Sequence, residues 1–92
     1  MNKADKEFMD RIIAIIHENI TDENFGVERL AEILFLSRSS LLRKIKVLSG
    51  LSPNDFIRLI RLKKAAELIL DGQHRIGEIC YLVGINSPSY FS

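Results

Sequence analysis

Two stretches of this 92-residue chain follow the same pattern, and a long predicted helix joins them. Each stretch consists of a short apolar helix, a turn and a second helix that begins at a serine. A small residue, Ala31 in the first stretch and Cys80 in the second, stands where the two helices would cross closely. This pattern is typical of a helix-turn-helix, whose second helix projects from the body of the domain. One such match is weak evidence, but a tandem pair restricts the fold much more.

Apolar periodicity and capping residues predict helices along nearly the whole chain. The clearest start signal is Ser52-Pro53, since serine caps a helix and proline suits its first position. Gly72 would end that helix in a left-handed conformation. The predicted helices are 6–20 with Asp5 as N-cap, 27–35, 38–48 after Ser37, 53–71, 76–83, and a sixth from Ser87-Pro88.

These elements predict an all-α fold with tandem helix-turn-helix units joined by a long linker helix. In this division a single domain covers residues 1–92. The first unit covers 27–48, the linker helix 53–71, and the second, incomplete unit 76–92.

The charge distribution is uneven although the net charge is only +1. Residues 35–64 contain eight of the 13 basic side chains and one of the 12 acidic ones. A basic block in a near-neutral chain is typical of a surface that binds phosphates. Charge alone would equally fit a solvated helix surface.

Several classes of protein are disfavoured by the sequence. No apolar run approaches the roughly 20 residues that span a bilayer, and the charged first ten residues do not resemble a signal peptide. The single cysteine, Cys80, fits a reducing cytoplasm. No phosphate loop or nucleophile-plus-base signature indicates an enzyme, and His17 and His74 lack the spacing of a metal site. We therefore expect a cytoplasmic, non-enzymatic domain with no cofactor, no metal and no membrane contact.

The length of the linker helix suits a protein that reads two grooves of DNA. Nineteen residues at about 1.5 Å each span roughly 28 Å, and successive major grooves on one face of DNA lie about 34 Å apart. Arg58, Arg61 and Lys64 recur every three residues along one side of this helix. They could meet the DNA backbone between the grooves, while Arg61 could equally pair with Glu28 or Glu32.

The chain resembles the DNA-binding domain of the AraC/XylS family of bacterial transcription regulators from about residue 8 to residue 92. The later segments are especially similar to such domains at the C-terminal end of hybrid two-component regulators. The segments that carry the resemblance are VERLA (27–31), LSRSSLLRKIK (36–46), GLSP (50–53), RLKKAAEL (61–68), IGEIC (76–80) and VGINSPSYFS (83–92).

The resemblance implies seven helices, two helix-turn-helix units and binding of double-stranded DNA by a monomer in adjacent major grooves. It also implies which residues contact bases. In the first unit these match Ser39, Leu42, Arg43 and Lys46, and in the second Pro88, Ser89 and Ser92.

Each residue of the first unit has an alternative role. Arg43 would contact guanine or phosphate, or else form a surface ion pair. Leu42 would contact a thymine methyl group, or else belong to the core, and Ser39 would contact DNA or serve helix-start chemistry. Lys46 would contact phosphate or the groove and Arg38 phosphate, whereas Lys44 would be solvated.

The chain departs from the family pattern at three places. Phe35 stands where the first turn often has glycine, so we expect a distorted turn, and Arg75 stands where the N-cap is often a small hydroxyl residue. The family pattern continues past Ser92 with a basic stretch and a seventh helix. We therefore expect a fragment that lacks the sensor or receiver portion of a full-length regulator.

Such a fragment should bind DNA weakly, and it could self-associate through its second unit. The alternative interpretation is a helical protein-protein interaction module without DNA affinity.

Overall fold

The computed structural model describes residues 2–85, which form five α-helices. This architecture confirms the all-α prediction. The predicted sixth helix, with Pro88, Ser89 and Ser92, lies outside the described residues. The helices are α1 (Lys3–Glu18), α2 (Val27–Leu34), α3 (Arg38–Ser49), α4 (Pro53–Asp71) and α5 (Ile76–Leu82).

Serines begin α3 and α4, and glycines follow their last residues. The Ser37 hydroxyl accepts a hydrogen bond from the Ser40 amide at 3.1 Å, and the Ser52 hydroxyl accepts one from the Asp55 amide at 3.2 Å. Gly50 and Gly72 adopt the left-handed conformation at the two C-termini. The predicted bounds of α4 are confirmed, because its start and stop depend on residues next to each other in the sequence.

The bounds of α1 differ from the prediction. Its N-cap is Asn2, whose side-chain oxygen accepts a hydrogen bond from the Asp5 amide at 2.8 Å. Asp5 therefore lies in the first turn, and its assignment as the cap was wrong. The helix ends at Glu18 rather than at residue 20. Its C-cap is Asn19, whose side chain donates a hydrogen bond to the Ile15 carbonyl at 2.9 Å.

A main core lies between the first four helices. Leu30 of α2 and Leu41 and Ile45 of α3 are completely buried in it. The inner face of α3 thus packs against α2 and α4, which fixes the direction of its outer face. The other buried members of this cluster are Met9, Ile12, Ile15, Ile16, Phe25, Val27, Ala31, Phe56, Ile57 and Ile60.

The buried stripe of α4 changes along the helix. Leu59 and Ile69 are 41% and 44% exposed, whereas Ile57 and Ala65 are buried. The reason is that α4 changes partners along its length. Its first half packs on the main core, and its second half packs on α5 through a small cluster of Ala65, Ile79 and Val83.

Arg61 does not belong to an exposed basic row. It is buried, while Arg58 and Lys64, three residues to either side, keep their side chains partly in solvent. Its guanidinium donates to four backbone carbonyls and to neither Glu28 nor Glu32, so both expectations for Arg61 were wrong. The acceptors are Ile20 (2.5 Å), Val83 (2.6 Å), Asp22 (2.9 Å) and Phe25 (3.3 Å).

Burial lowers the pKa of the Arg61 guanidinium from its ordinary value, because the charged form loses hydration. The nearby charge of Asp22 opposes this shift. The carbonyl oxygens replace water around the cation, and charge-assisted hydrogen bonds of this kind are strong.

Gly84 closes the far side of the guanidinium. It has a φ of +71°, and a Cβ atom there would overlap Arg61 Nη1 and the Ile20 carbonyl oxygen. Only glycine fits this position without displacing the arginine.

Within residues 2–85, no helix is both long and apolar enough to cross a membrane.

Candidate nucleic-acid interface

The outer face of α3 carries the four residues of the first unit that the sequence predicted to contact bases. Ser39, Leu42, Arg43 and Lys46 are all exposed. Their spacing of three, four and seven residues places them on one side of a helix. Leu41 and Ile45 anchor the opposite side in the core. The structure therefore brings these four side chains together on one convex surface, which we call the α3 face.

Arg43 lies in the middle of the α3 face. Among residues 2–85, no hydrogen bond or ion pair engages its guanidinium. The surface ion pair that we considered for Arg43 is therefore not formed with any described residue. Its five N–H donors remain available for a planar acceptor such as a guanine edge or a phosphate.

Leu42 is 47% exposed although Leu41 beside it is completely buried. The core alternative for Leu42 was therefore wrong. An exposed leucine beside Arg43 offers an apolar contact of the kind that a thymine methyl group accepts.

The two lysines of α3 are both held by local contacts. Lys46 Nζ donates to the Gly50 carbonyl at 2.9 Å, next to the negative end of the helix dipole. Lys44 Nζ lies 4.3 Å from the centroid of the Phe8 ring, a cation–π arrangement that ties α3 to α1. Lys44 is exposed to solvent, as expected, and the contact with Phe8 is an addition to that expectation. Lys46 must leave the Gly50 carbonyl to reach a phosphate.

The beginning of α3 combines a cap and an ion pair. Ser39 Oγ lies 3.4 Å from Ser37 Oγ, in the hydroxyl cluster that caps the helix, and Ser39 still faces solvent. Arg38 Nη1 lies 3.5 Å from a carboxylate oxygen of Glu28, and both side chains are exposed. Arg38 thus lies beside the first turn of α2.

Both helix-turn-helix turns have the same backbone geometry. Phe35 is left-handed, with φ 56° and ψ 38°, and the next amide, that of Leu36, bonds to the Ala31 carbonyl at 3.0 Å. Gly84 is left-handed too, and the Ile85 amide bonds to the Cys80 carbonyl at 2.9 Å. A hydrogen bond from an amide to the carbonyl five residues earlier, across a left-handed residue, is typical of a Schellman motif at the end of a helix.

The matching turns show that the pairing of Ala31 with Cys80 was sound, and both side chains are buried. They also show that the expected distortion at Phe35 was wrong. Phenylalanine adopts the conformation of glycine there, and its ring is 94% exposed. At the start of α5, Arg75 is the N-cap without a side-chain cap bond, and the Glu78 carboxylate accepts from the Arg75 amide at 3.2 Å.

Two features escaped the sequence analysis. The role of Arg61 was missed because its three-residue spacing predicts an exposed basic row, although Arg61 also falls on the buried stripe of α4 beside Ile57 and Ile60. Val47, one turn after Arg43, is 81% exposed and extends the apolar part of the outer surface of α3. Helical periodicity alone would have placed Val47 outside.

Comparison with known proteins agrees with the helix-turn-helix geometry. A family model described as a helix-turn-helix domain matches residues 30–92, which is more than half of the chain. The chain belongs to the AraC-type helix-turn-helix family. Members of this family are DNA-binding domains of transcription regulators and are non-catalytic.

Solved AraC-type domains share the fold. The C-terminal domain of the two-component response regulator yesN from Fusobacterium nucleatum superposes with a TM-score of 0.80 at 32% identity, covering 92% of this chain and 88% of that one. The C-terminal domain of AraT, a response regulator from Geobacillus stearothermophilus, gives a TM-score of 0.78 at 35% identity, covering 90% and 69%. The predicted resemblance to AraC-type domains, including those of two-component regulators, is confirmed.

Curated relatives are much longer than this chain. A protein named histidine kinase P4 from Formosa agariphila is 37% identical over 92 residues, which is all of this chain and 7% of that protein. The transcriptional activator RhaS of Salmonella schwarzengrund is 31% identical over 84 residues, which is 91% of this chain and 30% of RhaS. The AraC-type domain described here thus spans less than a third of either relative.

Proposed function

We propose that this AraC-type domain binds double-stranded DNA in a sequence-specific manner, with α3 in one major groove and the second unit in the adjacent groove. The observation that carries the proposal is the α3 face, where Arg43 is exposed and unengaged by described residues while Leu41 and Ile45 hold the helix rigidly. A rigidly mounted helix that presents donors and an apolar group suits direct reading of base edges.

The proposed division of the domain is the one that the sequence predicts. The first unit covers 27–48, the linker helix 53–71 and the second unit 76–92. The linker helix α4 has 19 residues and spans roughly 28 Å at about 1.5 Å each, close to the distance of about 34 Å between successive grooves.

Individual roles follow from chemistry and position. Arg43 contacts a guanine edge through two parallel hydrogen bonds, and Leu42 contacts a thymine methyl group. Arg38 and Lys46 contact phosphates, and Ser39 donates from the first turn of α3 to a base or a phosphate. The proposed base contacts of the second unit are Pro88, Ser89 and Ser92.

The proposed setting is a bacterial transcription regulator in the cytoplasm, in which a receiver or sensor portion is the partner of this domain. Support comes from the response regulators and the histidine kinase among its relatives. Self-association through the second unit stays a prediction, and sedimentation of the chain over a concentration series checks it.

A salt titration tests DNA binding. Fluorescence anisotropy of a labelled duplex is measured over a salt series for the chain and for an Arg43→Ala/Lys46→Ala variant. The matched control is Arg11→Ala/Lys63→Ala, which removes one arginine and one lysine that are exposed on α1 and α4. Binding should weaken with salt at a log–log slope of about −0.9 per neutralised phosphate.

The α3-face variant should lose most of its affinity and show a shallower slope, whereas the control should stay near the parent chain. Equal losses in both variants would mean that net charge rather than the α3 face governs binding. Negligible binding by the parent chain at low salt would contradict DNA binding and favour the protein-interaction module.

A further inference from the structure

Arg61 joins two parts of the domain that are otherwise connected only weakly. The helix α5 packs against α4, and the cluster beneath it contains three fully buried side chains, Ala65, Ile79 and Val83. The main core under α2 and α3 is several times larger. The orientation of α5 relative to α3 is therefore set by few apolar contacts.

The guanidinium of Arg61 bridges these two parts. Nη1 donates to the carbonyls of Ile20 and Val83, at 2.5 and 2.6 Å. Nη2 donates to the carbonyls of Asp22 and Phe25, at 2.9 and 3.3 Å. Three of these acceptors lie in the connection that leads into α2, and the fourth is the C-cap of α5. One planar group thus links the entrance of the first unit to the end of the first helix of the second.

Arginine is suited to this position and lysine is not. The guanidinium holds its N–H groups in a fixed plane, whereas an ammonium group offers three hydrogens from a single atom. The four acceptors lie on two segments and need donors from two nitrogens. Gly84 fits against the same group so closely that a Cβ atom there would overlap Nη1.

We propose that Arg61 is a positioning residue that sets the orientation of the second helix-turn-helix unit relative to the first, and with it the half-site spacing that the domain accepts. The spacing part rests on the proposed function, whereas the orientation part does not depend on DNA. Rotation of α5 about α4 would break the bond from Nη1 to Val83, so the bridge selects one arrangement of the two units.

Nuclear magnetic resonance of the full chain tests the orientation without DNA. Residual dipolar couplings of backbone amides are measured for the parent chain, for Arg61→Lys, and for Arg58→Lys as the exposed control on the same helix. In Arg61→Lys, the couplings of α1–α3 should fit the parent structure, while those of α5 should require a different or averaged orientation. Amide protection at Ile79 and Val83 should fall at least about tenfold more than at Leu41 and Ile45.

Two results would overturn the proposal. One is that α5 in Arg61→Lys fits the same alignment tensor as the parent. The other is a uniform loss of protection that includes α3, because Arg61 would then support the whole core rather than the junction. Gly84→Ala provides a second variant that disturbs the same guanidinium from the other side, and it should change the α5 couplings in the same way.

DNA duplexes that differ by one base pair in half-site spacing test the consequence for reading. The parent chain should prefer one spacing by at least about tenfold, since one base pair shifts and rotates the second groove, and Arg61→Lys should discriminate less. Equal discrimination by both proteins would overturn the spacing part. If neither protein binds DNA while α5 reorients, the orientation part stands and the proposed function fails.

Discussion

The Arg38 guanidinium lies 3.5 Å from the Glu28 carboxylate, which joins the first turn of α3 to the first turn of α2. Both side chains are exposed, so the pair contributes little to the stability of the fold. Its consequence concerns DNA instead. In the proposed complex Arg38 contacts a phosphate, and the neighbouring Glu28 carboxylate would weaken that contact and repel the DNA backbone.

Glu28→Gln should therefore strengthen DNA binding. We expect a gain of roughly 1.4- to fivefold at low salt, which corresponds to a surface ion pair of about 0.2–1 kcal/mol, and a smaller gain at high salt. The control is Glu32→Gln, which removes the same charge from a carboxylate paired with Arg29. Anisotropy titrations of Glu28→Gln are made in the parent chain and in an Arg38→Ala variant. The difference between the two effects measures the coupling between Glu28 and Arg38. An undiminished effect of Glu28→Gln in that background would show that the pair is irrelevant.

Leu42→Ala should remove discrimination in favour of thymine at one position of the bound site. The parent chain should bind a duplex with deoxyuridine at that position about fourfold less tightly, since one buried methyl group is worth about 0.8 kcal/mol. Leu42→Ala should bind both duplexes alike. The site itself is first obtained by selection from random duplexes. Uracil sensitivity at the same position in both proteins would assign the methyl contact to another residue.

Gly84→Ala should destabilise the domain much more than Gly50→Ala. Both glycines have a φ between 70° and 80°, so both substitutions incur the left-handed penalty of about 1–2 kcal/mol. A Cβ atom at Gly50 meets nothing within 4 Å, whereas at Gly84 it overlaps Arg61 and the Ile20 carbonyl. Urea denaturation of the two variants compares them at matched backbone strain. Equal urea midpoints for the two variants would mean that Arg61 moves away from the new Cβ atom without loss of stability.

Phe35→Gly should stabilise the domain. The ring is almost fully exposed, while the backbone adopts a left-handed conformation that glycine tolerates best. We expect a gain of about 1 kcal/mol in the free energy of unfolding. Phe35→Ala is the control, since it removes the ring and keeps the strain, and its stability should change little. A loss of stability in Phe35→Gly would show that the ring makes a stabilising contact.

The sequence by itself determined the elements whose causes lie within a few residues. The bounds of α4 follow from Ser52, Pro53 and Gly72, because capping involves only neighbouring backbone groups. The α3 face follows from helical periodicity once Leu41 and Ile45 are assigned to the core. The equivalence of the two turns was also visible in the repeat of Ala31 and Cys80.

The tertiary structure decided what depends on distant segments. Arg61 is buried because carbonyls from residues 20–25 and from Val83 converge on it, and no local pattern shows that convergence. Leu59 and Ile69 are exposed because α4 is covered by different partners along its length. Burial depends on which segments cover a side chain, and capping depends only on its neighbours, so the sequence determined where helices begin while packing decided which faces they bury.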